Sequence, residues 1–355
     1  MSPFSYTALP GRVIFGFGTL AQVGDEVRAL GCSRALLLST PQQLDQVKGL
    51  EARLGALAVG LFSGATMHTP VEVTERALAY AQEVGADCIV ALGGGSTTGL
   101  GKAIAVRTDL PQVAIPTTYA GSEATPILGE TRNGLKTTRR EMKILPEVII
   151  YDVELTMTLP PGMTVTSGMN AIAHAAEGLY AKEANPVISM IAEDGTRAIA
   201  RALPRIIENP ADREARSDAL YGAWACGVTL GAVGMSLHHK LCHALGGTFD
   251  LPHAETHTVI LPHAMAYNAP AAPAAMARLA AAIGAQNAPQ GLYALAKSLG
   301  APLALRDLGM PEEGLDRIVD LALSNPYWNP RPLEREPLRR LLQSAWEGKE
   351  PPVAL

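Results

Sequence analysis

The feature that most constrains this chain is a change of rhythm partway along it. Over roughly the first 150 residues, short apolar runs alternate with amphipathic helical patterns; beyond 152-DVELTMTLPPG-162 the runs stop and helix follows helix. The runs are 12-RVIFG-16, 34-RALLLST-40, 58-AVGLFSG-64, 88-CIVALGG-94, 112-QVAIPTT-118 and 147-EVIIYD-152. Most are compact, lack polar alternation and end in Gly, Ser, Thr or Pro, as strands of a parallel sheet buried on both faces do. Between them, 71-VEVTERALAYAQEVGA-86 sets Val73, Ala77, Tyr80, Ala81 and Val84 on one helical face. This alternation predicts an α/β, doubly wound domain.

Downstream, 163-MTVTSGMNAIAHAAEGLYAKE-183, 186-PVISMIAEDGTRAIARALPRIIE-208 and 211-ADREARSDALYGAWACGVTLGAV-233 all read as helices, and Pro160 and Pro161 mark the break. The expected organisation is a Rossmann-like α/β domain over 1–157 and an all-α domain over 158–355, with the boundary near 153–162. A cleft between two such domains is a usual place for a ligand site.

Composition narrows the function. A formal charge of −5 on 355 residues gives no basic surface for nucleic acid or an anionic membrane. The cysteines (Cys32, Cys88, Cys226 and Cys242) form no CxxC pair, so buried free thiols are expected. The N-terminus shows no basic segment followed by an apolar run, and Arg278 interrupts the Ala-rich stretch around 274–285, so a cytoplasmic protein is expected.

Three stretches carry chemistry. In 88-CIVALGGGSTTGLGKAIA-105 a strand meets a helix through three glycines. Backbone N–H groups there suit a phosphate, although the spacing is neither GxGxxG nor a Walker loop, and a tight turn explains one glycine equally well. The hydroxyl-rich 115-IPTTYAGSEAT-125 also follows a strand, and reads either as a capped loop or as a second wall of the same crevice. Six of the eight histidines fall within 236-SLHHKLCHALGGTFDLPHAETHTVILPHAMAYN-268. His239 and His243 share a face if that segment is helical; Gly246 and Gly247 then end the helix, and Pro252 puts His253 in the following turn. Such clustering suits metal ligation, proton transfer near neutral pH or anion binding. Upstream, Asn170 and His174 in 167-SGMNAIAHAAEG-178 are four apart on one helical face. No GxSxG supports a serine nucleophile.

With GGGS at 93–96, IPTT at 115–118, DVELTMTLPP at 152–161, GMNAIAHAAEG at 168–178 and HKLCHALGGTFDLPHAETHTVILPH at 239–263, the chain resembles the iron-containing (group III) alcohol dehydrogenases almost end to end. The resemblance implies the dehydroquinate-synthase-like fold. In metal-dependent members an Asp and a His on one helix and two later His hold the ion; the matching positions are Asn170, His174, His239 and His253. The charged ligand is therefore missing, which should greatly weaken a hard divalent cation. Gly99 stands where most of the family has an Asp. Both departures resemble one branch, the maleylacetate reductases, whose members reduce a conjugated C=C with NADH or NADPH and without a metal.

By this resemblance the cofactor pyrophosphate would rest on Gly94, Gly95 and Ser96. Thr117 and Thr118 would approach the nicotinamide, and Lys136 and Leu155 would make further contacts. The second strand ends 36-LLLSTPQQ-43 without the carboxylate that rejects a 2′-phosphate, so both cofactors are expected. His243 and His253 lead as catalytic groups. His174 and His239 would polarise a ketone or hold a carboxylate, and Asn170 and Lys240 would contact a small dicarboxylate. No metal is expected, and a homodimer is expected from the family. Two other readings stay open: a metal-dependent alcohol dehydrogenase with Asn170 as an amide ligand, and a lyase of the dehydroquinate synthase kind.

Overall fold

The computed structural model describes residues 3–132 and 135–355, with the side chains of 135 and 136 outside the described set. The chain divides into one compact unit, Leu9–Leu159, and another made of Pro160–Leu355 with the segment up to Ala8. The break falls two residues beyond the expected one. The N-terminal segment, expected with the α/β part, groups with the helical part instead; the first strand begins only at Arg12.

In the α/β unit the strands are β1 Arg12–Gly16, β2 Ala35–Leu38, β3 Ala58–Phe62, β4 Cys88–Gly93, β5 Gln112–Pro116, β6 Ile127–Arg132, β7 Leu135–Arg140 and β8 Val148–Asp152. The helices are α1 Val23–Ala29, α2 Leu44–Leu54, α3 Val71–Glu83 and α4 Gly95–Thr108. Six strands form one sheet in the order β1-β8-β5-β4-β2-β3, and every pairing is parallel. Central β2, β4, β5 and β8 are wholly buried, as their apolar runs predict, whereas the edges β1 and β3 are only partly covered. Leu37, Val90, Val113 and Ile150 pack on one face and Leu36, Leu38, Ile89 and Ala91 on the other. The chain moves outward from β2 to β3, then returns to lay β4 on the other side of β2. This reversal is the switch point beyond which open α/β sheets take ligands.

One element was not foreseen. Between β5 and β8 the crossover is the antiparallel hairpin β6–β7 rather than a helix, and Leu128 packs with Ala103 and Val106 of α4. That second cover explains why α4 is buried nearly all round and shows little amphipathic pattern.

The helical unit contains α5 Pro161–Gly178, α6 Pro186–Glu208, α7 Arg213–Ala232, α8 Leu237–Phe249, α9 His253–Asn268, α10 Pro273–Ile283, α11 Ala288–Ser298, α12 Leu315–Ser324 and α13 Arg335–Glu347. Helix α5 is buried from Thr164 to Gly178 and packs against α6, α7 and α9. It ends at Gly178, short of the expected 183. Helices α6 and α7 approach closely at Gly195 and Gly222; a Cβ on Gly222 would sit 2.7 Å from the Gly195 carbonyl oxygen. Helix α8 departs from expectation more sharply: it runs through Gly246 and Gly247 to Phe249 and stops where Asp250 takes φ +53°. Asp, like Asn, tolerates this left-handed position, so it replaces glycine as the stop. His253 consequently opens α9 instead of lying in a turn. No single helix among the described residues is long and apolar enough to cross a membrane.

Candidate active site

In the α/β unit, β4 ends at Gly93 with φ +155°, where a Cβ would stand 2.3 Å from Thr97 Oγ1 and 2.6 Å from Gln43 Oε1. A Cβ on Gly94 would lie 3.0 Å from Thr118 Cγ2, while the space beside Gly95 is open. Helix α4 then starts with no side-chain cap. The first helical bonds run from Thr97 and Thr98 to the Gly94 carbonyl, so the N–H groups of Gly95 and Ser96 lie ahead of them, and the helix's positive dipole end adds to the attraction for an anion. The loop after β5 is tied to this turn: Thr117 N–H donates to the Gly93 carbonyl at 3.1 Å, and Gln43 Nε2 donates to Thr117 Oγ1 at 2.8 Å. Gly94, Gly95, Ser96, Thr117 and Thr118 thus meet at the carboxyl ends of β4 and β5, beside the end of β2. Leu155 is half-buried against the sheet's apolar core. The side chain of Lys136 lies outside the described residues.

In the helical unit, α5 carries Asn170, His174 and Glu177 on one face, α8 carries His238, His239, Lys240, Cys242 and His243, and α9 carries His253 and His257. Ring centroids are 5.2 Å apart for His174 and His239, 4.9 Å for His239 and His257, 4.2 Å for His253 and His257, and 6.1 Å for His239 and His243. The four expected histidines therefore form one assembly, with Asn170 on its α5 side. Asn170 and His174 are each 3% exposed, and Asn170 Oδ1, His174 Nδ1 and His239 Nε2 are buried with no hydrogen-bond partner. Burial, then the neighbouring His239 and His243, push the His174 pKa well below its ordinary value, and burial does the same to His238 and His257. These three rings work as neutral imidazoles. His243 and His253 are half-buried and more open to a solute.

Two groups, Glu177 and Tyr327, and one contact, between His257 and His238, were not anticipated. Glu177 Oε2 accepts from His239 Nδ1 at 2.7 Å. Tyr327, on the loop between α12 and α13, brings its hydroxyl to 3.1 Å from His243 Nδ1, and Lys240 Nζ lies 5.6 Å from the centre of that ring. His257 Nδ1 and His238 Nε2 share a hydrogen bond of 3.0 Å. Glu177 could have been found from its sequence position, one turn beyond His174 on the same face; Tyr327 lies 84 residues from its partner and gives no local signal.

The donor atoms bear on a metal. Those of His174, His239 and His253 do not all lie within 4.8 Å of one another, whereas those of His238, Cys242 and His257 do. In the latter trio the inward nitrogens bond each other, and the outward ones, His238 Nδ1 and His257 Nε2, have no partner. A ligating imidazole ordinarily donates its second N–H to an acceptor, so this trio lacks the outer support of a metal site. The family's ligand positions, with an amide where a carboxylate is needed, do not fit a hard dication.

Comparison with known proteins places the chain. Residues 10–153 match the model for iron-containing alcohol dehydrogenases, and residues 164–346 match the Fe-containing alcohol dehydrogenase family, C-terminal model. The chain belongs to the iron-containing alcohol dehydrogenase family. This is a family of nicotinamide-dependent oxidoreductases. Within it, the chain is 60% identical over 351 residues to a maleylacetate reductase of Rhizobium sp. strain MTP-10005, covering 99% of this chain and 100% of that one. A maleylacetate reductase of Burkholderia cepacia is 57% identical, again over 99% and 100% of the two chains. The crystal structure of maleylacetate reductase from Agrobacterium tumefaciens superposes with a TM-score of 0.95 at 59% identity, over 99% of this chain and 100% of that one.

Proposed function

We propose that this protein reduces the C=C bond of maleylacetate, giving 3-oxoadipate, with NADH or NADPH and without a metal. The full-length match to reductases of that name carries the reading. The end of β2 bears no carboxylate over 39–43, which supports use of both cofactors. When bound at the Gly94–Ser96 turn, the nicotinamide cofactor supplies the hydride.

The substrate's C=C is conjugated with a ketone. Hydride addition at the alkene carbon β to the ketone moves the electron pair onto the ketone oxygen, giving a delocalised enolate rather than an isolated alkoxide. Hydrogen bonds can hold that charge, so the chemistry does not need a Lewis acid. His174 is suited to donate toward the ketone oxygen, while His239, whose Nδ1 is engaged by Glu177, offers an acceptor nitrogen beside it, and burial strengthens both interactions. His243 and His253, the more open rings, are suited to protonating the adjacent carbon and to meeting the substrate's carboxylates, with Tyr327 steadying His243. Lys240 and Asn170 complete the dicarboxylate site. A cytoplasmic homodimer belongs to the same proposal; Phe15 and Phe17, partly exposed on and just after edge strand β1, support pairing there.

The test is NADH oxidation with maleylacetate in the presence of EDTA. Turnover that survives chelation agrees with the proposal; turnover that chelation abolishes and added iron or zinc restores moves the protein to the metal-dependent members.

A further inference from the structure

Glu177 is a fully buried carboxylate at the point where α5, α8 and the loop before α13 meet. Its Oε2 accepts from the backbone N–H of Ser236 at 2.8 Å and from His239 Nδ1 at 2.7 Å. Its Oε1 accepts from the backbone N–H of His238 at 2.7 Å and, more loosely, from the Tyr180 hydroxyl at 3.4 Å. All four partners point donors at it. Ser236 and His238 are the N-cap and second residue of α8, a helix whose own N-cap side chain makes no capping bond. Glu177 therefore caps α8 from outside, and the helix's positive end favours its charge.

The same oxygen that caps α8 dictates how His239 must stand. Since Oε2 is an acceptor, Nδ1 carries the ring proton and Nε2 is left with its lone pair, buried and without a protein partner. The Tyr180 hydroxyl in turn receives Asn268 Nδ2 at 3.3 Å, and Asn268 and Asn329 exchange amide bonds of 2.9 and 2.7 Å. Asn329 lies two residues beyond Tyr327, so one polar chain runs from Glu177 to the loop that brings Tyr327 against His243.

We propose that Glu177 is a positioning residue: it fixes the orientation and tautomer of His239, leaving the buried Nε2 as an acceptor on a ring that packs beside His174, while capping the helix that carries His239 and His243. Resting on the reductase reading, this makes Glu177 necessary for turnover rather than for cofactor binding. An amide cannot do the same work. Gln at 177 must turn its NH2 either toward Ser236 N–H and His239 Nδ1, forcing the other tautomer on His239, or toward His238 N–H, setting donor against donor.

Two measurements test it. Long-range ¹H–¹⁵N correlation on the ¹⁵N-histidine-labelled wild-type protein, with His239 assigned through His239→Gln, should show Nδ1 protonated and Nε2 bare; the opposite tautomer overturns the proposal. Glu177→Gln should lower kcat on the order of 10–100-fold, as loss of a group orienting a functional imidazole commonly does, with KM for NADH within about twofold of wild type. Wild-type kcat in Glu177→Gln overturns the proposal, as does an equal loss through KM for NADH. If that variant fails to fold, the wild-type spectrum decides alone. If wild type shows no activity on maleylacetate, the reductase reading fails while the tautomer result still judges Glu177.

Discussion

Asn170→Asp tests the inherited-site reading most directly. The side chain is 3% exposed and its Oδ1 has no partner, beside an imidazole that burial keeps neutral. An added carboxylate there would be buried and unpaired. Its cost at neutral pH has a ceiling, because the group takes up a proton rather than stay charged: from an ordinary value near 3.9 to pH 7 is about three pKa units, or about 4 kcal/mol. For a unit the size of the helical part that is roughly 8–16 °C of melting temperature. A divalent cation reverses the sign, since three imidazoles and a carboxylate make a competent donor set once the half-buried His253 ring rotates toward it. At a thousandfold excess over Kd such binding restores about 4 kcal/mol. The assay is thermal unfolding at pH 7 with EDTA or with added zinc or iron(II). Asn170→Asp should melt well below wild type in EDTA and recover with metal, while wild type shifts by less than about 2 °C. A variant whose melting ignores metal would refute the idea that Asn170 occupies a former ligand position.

Other perturbations give separate readings. Tyr327→Phe removes a single hydrogen bond from His243 and should lower kcat by about two- to tenfold in steady-state kinetics, with folding unchanged. Lys102 is buried and its ammonium group serves the carbonyls of Ser122, Thr125 and Ile127, so Lys102→Met should cost about 3–5 kcal/mol in urea unfolding. Gly94→Ala drives a Cβ against Thr118 and should raise KM for NADH and NADPH together by about tenfold, with less effect on kcat. Burial pushes the His263 pKa down from its ordinary 6.5 to about 4. The unfolded chain takes up that proton near 6.5 and the folded one only near 4. Stability from this group is therefore intact above 6.5 and lost across that window, by about 3 kcal/mol, and urea midpoints should fall between pH 7 and 5.

The α/β part was legible because strands covered on both faces must be apolar throughout, and all six sheet strands fall within a residue or two of their runs at both ends. The hairpin β6–β7 was not, since LKTTRR carries neither alternation nor an apolar run. In α8 the glycine pair invited a helix stop, but packing kept the helix going and Asp250 took the left-handed turn. The histidine assembly was visible as composition, and the positions carried over by resemblance do gather in one place. What escaped were the groups that hold those rings, Glu177 and Tyr327. Glu177 stood within reach of spacing, one turn beyond His174 on the same face, although its bond to α8 shows only in space; Tyr327 lies too far along the chain for any local pattern to reveal it.

The bond from Gln43 to Thr117 has a practical consequence. The end of β2 is where one would rewrite cofactor preference, by introducing a carboxylate or an arginine among residues 39–43. Yet Gln43 also braces the loop that carries Thr117 and Thr118, the residues proposed to approach the nicotinamide, and Thr40 Oγ1 bonds Gln43 in turn at 3.2 Å. On the proposed cofactor placement, selectivity and turnover are wired to the same side chain. A redesign at exposed Pro41 or Gln42 can retune one without the other, whereas one that replaces Gln43 will be read as a damaged enzyme before it is read as a re-targeted one.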